Sequence, residues 1–80
     1  MKNPPTIFDV IESGSFFSAE ESIELDIKLS KSQANEVPVR QIKSMMDYID
    51  FRFLQNSVTP SIQGQLQELH SALSKRYFNA

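Results

Sequence analysis

Hydrophobic residues recur along this chain with two different periods. From Pro38 to Gln55, Val39, Ile42, Met46, Ile49 and Phe53 step by three or four, so they stack on one face of a predicted helix over 38–56. Met45 and Leu54 widen that stripe, Met46 stands at its centre, and Arg40, Gln41, Lys43, Ser44, Asp47 and Asp50 fall elsewhere on the cylinder. Pro38 suits the first helical position, where a backbone N–H has no intrahelical partner. A second stripe, Ile62, Leu66, Leu69, Leu73 and Tyr77, marks a helix over 60–77 that opens on Thr59-Pro60. Gly64 lies inside it at a cost of about 1 kcal/mol relative to alanine, so this helix needs tertiary packing. The short Ser57–Thr59 link folds the two into an antiparallel αα-hairpin with both stripes inward.

The other period is two. Ile23, Leu25, Ile27 and Leu29 alternate with Glu24, Asp26, Lys28 and Ser30, the spacing of a strand. Three features favour a helix over 19–33 instead. Ser18 and Glu21 have the spacing of a capping box, Glu24 and Lys28 the spacing of a helical ion pair, and Glu, Asp and Lys suit strands poorly. A helix with Ile23 and Ile27 on one side and Leu25 and Leu29 nearly opposite needs cover on both sides, as between its own chain and a second copy. A strand over 22–30, in an α+β fold, is the alternative. Towards the N-terminus, Pro4 and Pro5 make residues 1–5 a loose lead-in. Thr6 is expected to cap a short helix carrying Ile7, Phe8, Val10 and Ile11, which Ser13-Gly14 stops by a left-handed glycine, with a short strand over 6–11 as the alternative. The fold expected is therefore all-α: one domain over 1–80, a small bundle built on the C-terminal hairpin.

Eighty residues bury a modest core, and with no cysteine there is neither disulfide nor thiolate site to reinforce it. No apolar run approaches the roughly 20 residues of a membrane-spanning helix. The opening MKNPPTIFDVIES makes a poor signal peptide, so the protein is expected to be cytoplasmic. The net charge of −2 is uneven. Residues 1–39 carry Lys2, Lys28 and Lys31 against seven acids, whereas residues 40–80 carry five cations against three acids. Either the two halves lie side by side, or an acidic surface is offered to a basic partner.

Candidate chemistry is sparse. His70 is the only histidine, at the edge of the second stripe, where it has either ordinary hydrogen bonding or a pH-sensitive interface contact. Asp47 and Asp50, one turn apart, allow a carboxylate pair that with His70 is the basis of a small-ligand-binding alternative; a solvated polar face is the simpler reading. There is no Gly-rich phosphate loop and no nucleophile elbow, and neither a cofactor nor a metal is expected. As a helix-turn-helix the hairpin is a poor nucleic-acid reader, because its second helix gathers cations only at its far end. Six phenylalanines remain. Phe16-Phe17, Phe51 with Phe53, and Phe78 are either core or an aromatic partner-binding patch.

Ser13-Gly14-Ser15-Phe16-Phe17, then Glu20-Glu21-Ser22 and Leu25, with Val39, Met46 and Ile49 following, resembles the AriR/YmgB regulators of biofilm formation and acid resistance. Pro38 and Pro60, with Asn56-Ser57-Val58 before the second proline, look like the helix–loop–helix of the uncharacterised YejL-type family. The alternating Ile23–Leu29 segment departs from both. Both resemblances imply a small bacterial, helical, homodimeric protein without catalysis, and the first adds a regulatory role. The reading is a non-enzymatic regulator or adaptor acting through helix–helix contacts, with itself and an unknown protein as partners. A dedicated chaperone or inhibitor of one macromolecule, of phage or secretion-system type, is the alternative. The interface candidates are Phe16, Phe17, Ile23, Leu25, Ile27, Leu29, Phe51, Phe53, His70 and Phe78.

Overall fold

The structure, a computed structural model, describes residues 4–14 and 17–79. Among these described residues four α-helices follow one another: α1 (Ile7–Ser13), α2 (Ala19–Ser30), α3 (Ile42–Gln55) and α4 (Pro60–Asn79). Two single 3₁₀ turns, Ala34–Glu36 and Val39–Gln41, lie between α2 and α3. Among the described residues there is no strand. The fold is a small all-α bundle, and residues 22–30, with their alternating pattern, are helical.

Local chemistry sets most of the boundaries. Thr6 caps α1 reciprocally: its hydroxyl accepts from the Asp9 N–H at 3.2 Å, and the Asp9 carboxylate accepts from the Thr6 N–H at 3.1 Å. The Ser18 hydroxyl accepts from the Glu21 N–H at 3.2 Å and donates to the Glu21 carboxylate. Glu24 and Lys28 pair across one turn at 3.1 Å. α2 stops at Ser30 rather than near residue 33, because the Ser30 and Ser32 hydroxyls bond the carbonyls of Ile27 and Lys28. α3 begins later than residue 38. Pro38 precedes a 3₁₀ turn, and the regular helix opens at Ile42. Asn56 ends it in the left-handed region, φ 55°. Gly14 does not stop α1 in that way: its φ is −94°, and the Phe17 ring instead fills the space a Cβ would need.

α3 and α4 lie antiparallel, and α1 and α2 cover them. The core joins Phe8 and Ile11 of α1, Leu25 and Leu29 of α2, and Val37 of the link to Ile42, Met45, Tyr48 and Ile49 of α3 and Leu66, Leu69 and Leu73 of α4. α4 faces inward as its stripe predicts, except that Ile62 is half-buried and Tyr77 exposed.

α3 is rotated from its predicted phase. Met45 and Ile49 are fully buried, Met46 and Phe53 are only half-buried, and Val39 is exposed. Gln41, which the pattern set apart from the stripe, is buried, and so are Tyr48 and Arg52. Polar partners explain the rotation. The Gln41 amide donates to Asp9 at 2.8 Å and to Glu12, tying the start of α3 to α1. The Gln41 bond, followed by that from the Thr6 N–H, holds the Asp9 carboxyl below the usual carboxylate range. Arg40 lies 3.7 Å from Glu12. The acidic and basic halves of the chain thus meet across the fold. A further basic side chain, Arg76 near the end of α4, donates to the carbonyls of Ala34 and Val37 and holds the α2–α3 link.

Candidate functional site

α2 and α3 each bury a quartet at i, i+3, i+4 and i+7: Ser22, Leu25, Asp26 and Leu29 on one, Met45, Tyr48, Ile49 and Arg52 on the other. Where the quartets face each other, the contact is ionic. Arg52 Nε lies 2.8 Å from one Asp26 carboxylate oxygen and 3.1 Å from the other, and Nη2 lies 2.7 Å from the first. The side chains of Arg52 and Asp26 are only 4% and 3% exposed. Tyr48 donates its hydroxyl to Asp26 at 2.9 Å, within reach of the Ser22 carbonyl at 3.2 Å. Arg52 Nη1 also reaches the Gln55 side-chain oxygen. The forked guanidinium and the phenol thus satisfy a carboxylate that would otherwise be buried at heavy cost.

This network holds the charges it contains. Burial, then the Asp26 charge beside it, pushes the Tyr48 phenol well above its ordinary range. The hydrogen bonds to Asp26 raise Arg52 further. A neutral phenol and a permanent guanidinium have no proton to exchange near neutrality, which suits a structural clasp better than acid–base work. Above it opens a cleft of about 330 Å³ lined by Gly14, Phe17, Ser18, Ser22, Tyr48, Phe51 and Gln55. Phe17 meets Tyr48 edge to face, with ring centres 6.4 Å apart.

The carboxylate candidates separate. Asp47 pairs with Lys43 at 3.3 Å on its own helix, whereas Asp50 reaches across the hairpin to within 3.0 Å of His70 Nε2. That nitrogen is inaccessible to solvent and not aligned for a hydrogen bond, so the contact is electrostatic when His70 is charged. Among the described residues no group of three or more His, Asp or Glu side chains converges as a metal site would require. Asp50 and His70 line a shallow groove with Phe53 and Gln67 that Asp47 does not border.

The interface candidates divide by burial. Leu25 and Leu29 belong to the chain's own core and are closed to any partner. Phe17, Phe53 and His70 are half-buried. Ile23 and Ile27 stand on the outer face of α2, 47% and 39% exposed. Phe51 is exposed at the rim of the cleft. Phe78 is exposed beside Tyr77, the rings edge to face. Phe16 lies outside the described residues. Among the described residues Leu54, which the pattern assigned to the stripe, is the most exposed large apolar side chain at 84%, one turn from Phe51. Comparison with known proteins returns no match, whether to family models, curated sequences or solved structures. Among the described residues no helix is long and apolar enough to cross a membrane.

Proposed function

We propose that this protein is a non-enzymatic regulator or adaptor that works by helix–helix contact, as a homodimer with one further protein partner. The carrying observation is apolar surface on two helices whose inner faces are already satisfied. α2 exposes Ile23 and Ile27 behind the Leu25–Leu29 core face, and α3 exposes Phe51 and Leu54 behind Met45 and Ile49. The exposed parts of these side chains add nothing to the domain's own stability and in water forfeit the burial that a partner surface offers. Paired aromatic and aliphatic residues with a polar rim suit the centre of a protein interface. The regulatory part of the reading rests on the resemblance carried by Ser13–Phe17 and Glu20–Leu25. A cytoplasmic location agrees with it.

Sedimentation equilibrium at tens of micromolar is expected to give a reversible dimer. A thermal-shift panel of metals, nucleotides and metabolites is expected to stay silent. A stable monomer removes self-association, and a saturable shift with a metabolite that Asp50→Asn and His70→Gln abolish replaces the interaction reading with ligand binding.

A further inference from the structure

We infer that the partner of the outer face of α2 is α2 of a second copy, running antiparallel to it. This rests on the homodimer proposed above and specifies its geometry. Ile23 and Ile27 sit one turn apart on the side of α2 turned away from the core, on the same exposed surface as Ala19. Glu20, Glu24 and Lys31 border this stripe on one flank, with Lys28 one step further round, all exposed. The charges are ordered along the helix. Glu20, Glu21 and Glu24 occupy the N-terminal half, and Lys28 and Lys31 the C-terminal end.

That order selects the direction of pairing. In a parallel two-fold pair, the charged flank of one helix meets the opposite flank of the other, so the Glu and Lys rows do not face each other and form no ion pairs across the seam. In an antiparallel pair, a two-fold axis near Leu25 and Asp26 sets Ile23 of each helix against Ile27 of the other. The same register sets Glu20 against Lys31 and Glu24 against Lys28, each pair occurring twice. Apolar and ionic contacts thus agree in one register within a residue, as a self-complementary surface requires. The Glu24–Lys28 pair within each helix, at 3.1 Å, is exposed and therefore free to be shared with the partner's charges.

Sedimentation and cross-linking test this with the full chain, using circular dichroism to confirm that each variant keeps its helices. K28E/K31E and E20K/E24K each place like charges across the proposed axis, and each is expected to weaken the dimer at least about tenfold. The fourfold exchange E20K/E24K/K28E/K31E restores every opposite pair and is expected to recover the affinity. Because the chain has no cysteine, direction can be read separately. An equimolar mixture of I23C and I27C is expected to oxidise to the mixed disulfide, with much less of either self-disulfide. If the wild type dimerises but ignores the charge reversals, or if I23C joins itself as readily as it joins I27C, the α2 pairing is wrong while the homodimer stands. If the wild type is monomeric, both fall together. Variants that lose their helices leave the cross-linking arm to decide.

Discussion

Beside the usual side chains, Leu25 and Leu29 inside and Glu20, Glu21, Glu24 and Lys28 outside, each face of α2 also holds a kind that belongs on the other. Its inner face holds a carboxylate, Asp26, while its outer face holds two isoleucines, Ile23 and Ile27. α4 shows the usual arrangement: Leu66, Leu69 and Leu73 inside, and Gln63, Gln67, Glu68, Ser71 and Lys75 outside. Both helices are long enough to pack, but α4 keeps its exposed apolar side chains, Tyr77 and Phe78, to its last turn. α2 is held by Leu25 and Leu29 in the core and by a polar clasp with α3, and it also presents two isoleucines outward. The core-facing side is specified by partners within the chain, and the outer side is the one proposed above to meet a second copy.

The sharpest way to break this contrast is to remove the clasp. Arg52→Ala leaves Asp26 buried without its cation and is expected to cost about 3–5 kcal/mol, most of what so small a domain has. Asp26→Leu/Arg52→Leu removes both charges and is expected to recover most of that loss in urea denaturation. If Arg52→Ala proves neutral, the inner face of α2 is wetter than its burial implies.

The phase of α3 provides the next comparison. Met45→Ala, at a fully buried position, is expected to cost about 2–5 kcal/mol, and half-buried Met46→Ala about 1 kcal/mol. The reverse order would return the helix to the Val39–Phe53 stripe.

Tyr48→Phe deletes the hydroxyl that reaches Asp26 and the Ser22 carbonyl, and is expected to cost about 1–3 kcal/mol. The same phenol makes stability depend on pH. Its folded pKa lies above the unfolded value of about 10, so stability is whole below that pH and falls as pH rises beyond it. Titration of tyrosine absorbance should show one of the two tyrosines still protonated in the folded protein where an ordinary phenol has ionised. The Tyr48→Phe variant should lose this delay.

The smallest effect belongs to the outer face. Ile23→Ser and Ile27→Ser are each expected to change monomer stability by less than about 0.5 kcal/mol at low micromolar concentration. A larger loss there would mean that the isoleucines pack within the chain.

Much of the fold is legible in the amino-acid order because it depends on short-range chemistry. Thr6 and Ser18 mark helix starts, Asn56 and Pro60 bracket the hairpin turn, and the Leu66–Leu69–Leu73 stripe faces inward as its spacing requires. The two-sided character of Ile23–Leu29 is likewise written in its alternation. The Asp26–Arg52–Tyr48 clasp could have been sought in the parallel spacings 22-25-26-29 and 45-48-49-52, in which a charged residue stands at a core-phase position on each helix.

What the sequence by itself determined is where α1, α2 and α4 start and where the hairpin turns, since each of these is decided by hydrogen bonds among residues a few positions apart. Only the tertiary structure decided which way α3 rotates and which face of α2 is inner. Those choices depend on Gln41 reaching Asp9 and Glu12 and on Arg52 reaching Asp26, contacts separated by 26 to 32 residues. A periodicity argument counts charged residues as solvent-facing. A buried ion pair reverses that count, because two opposite charges that satisfy each other can occupy a core position that neither could hold alone.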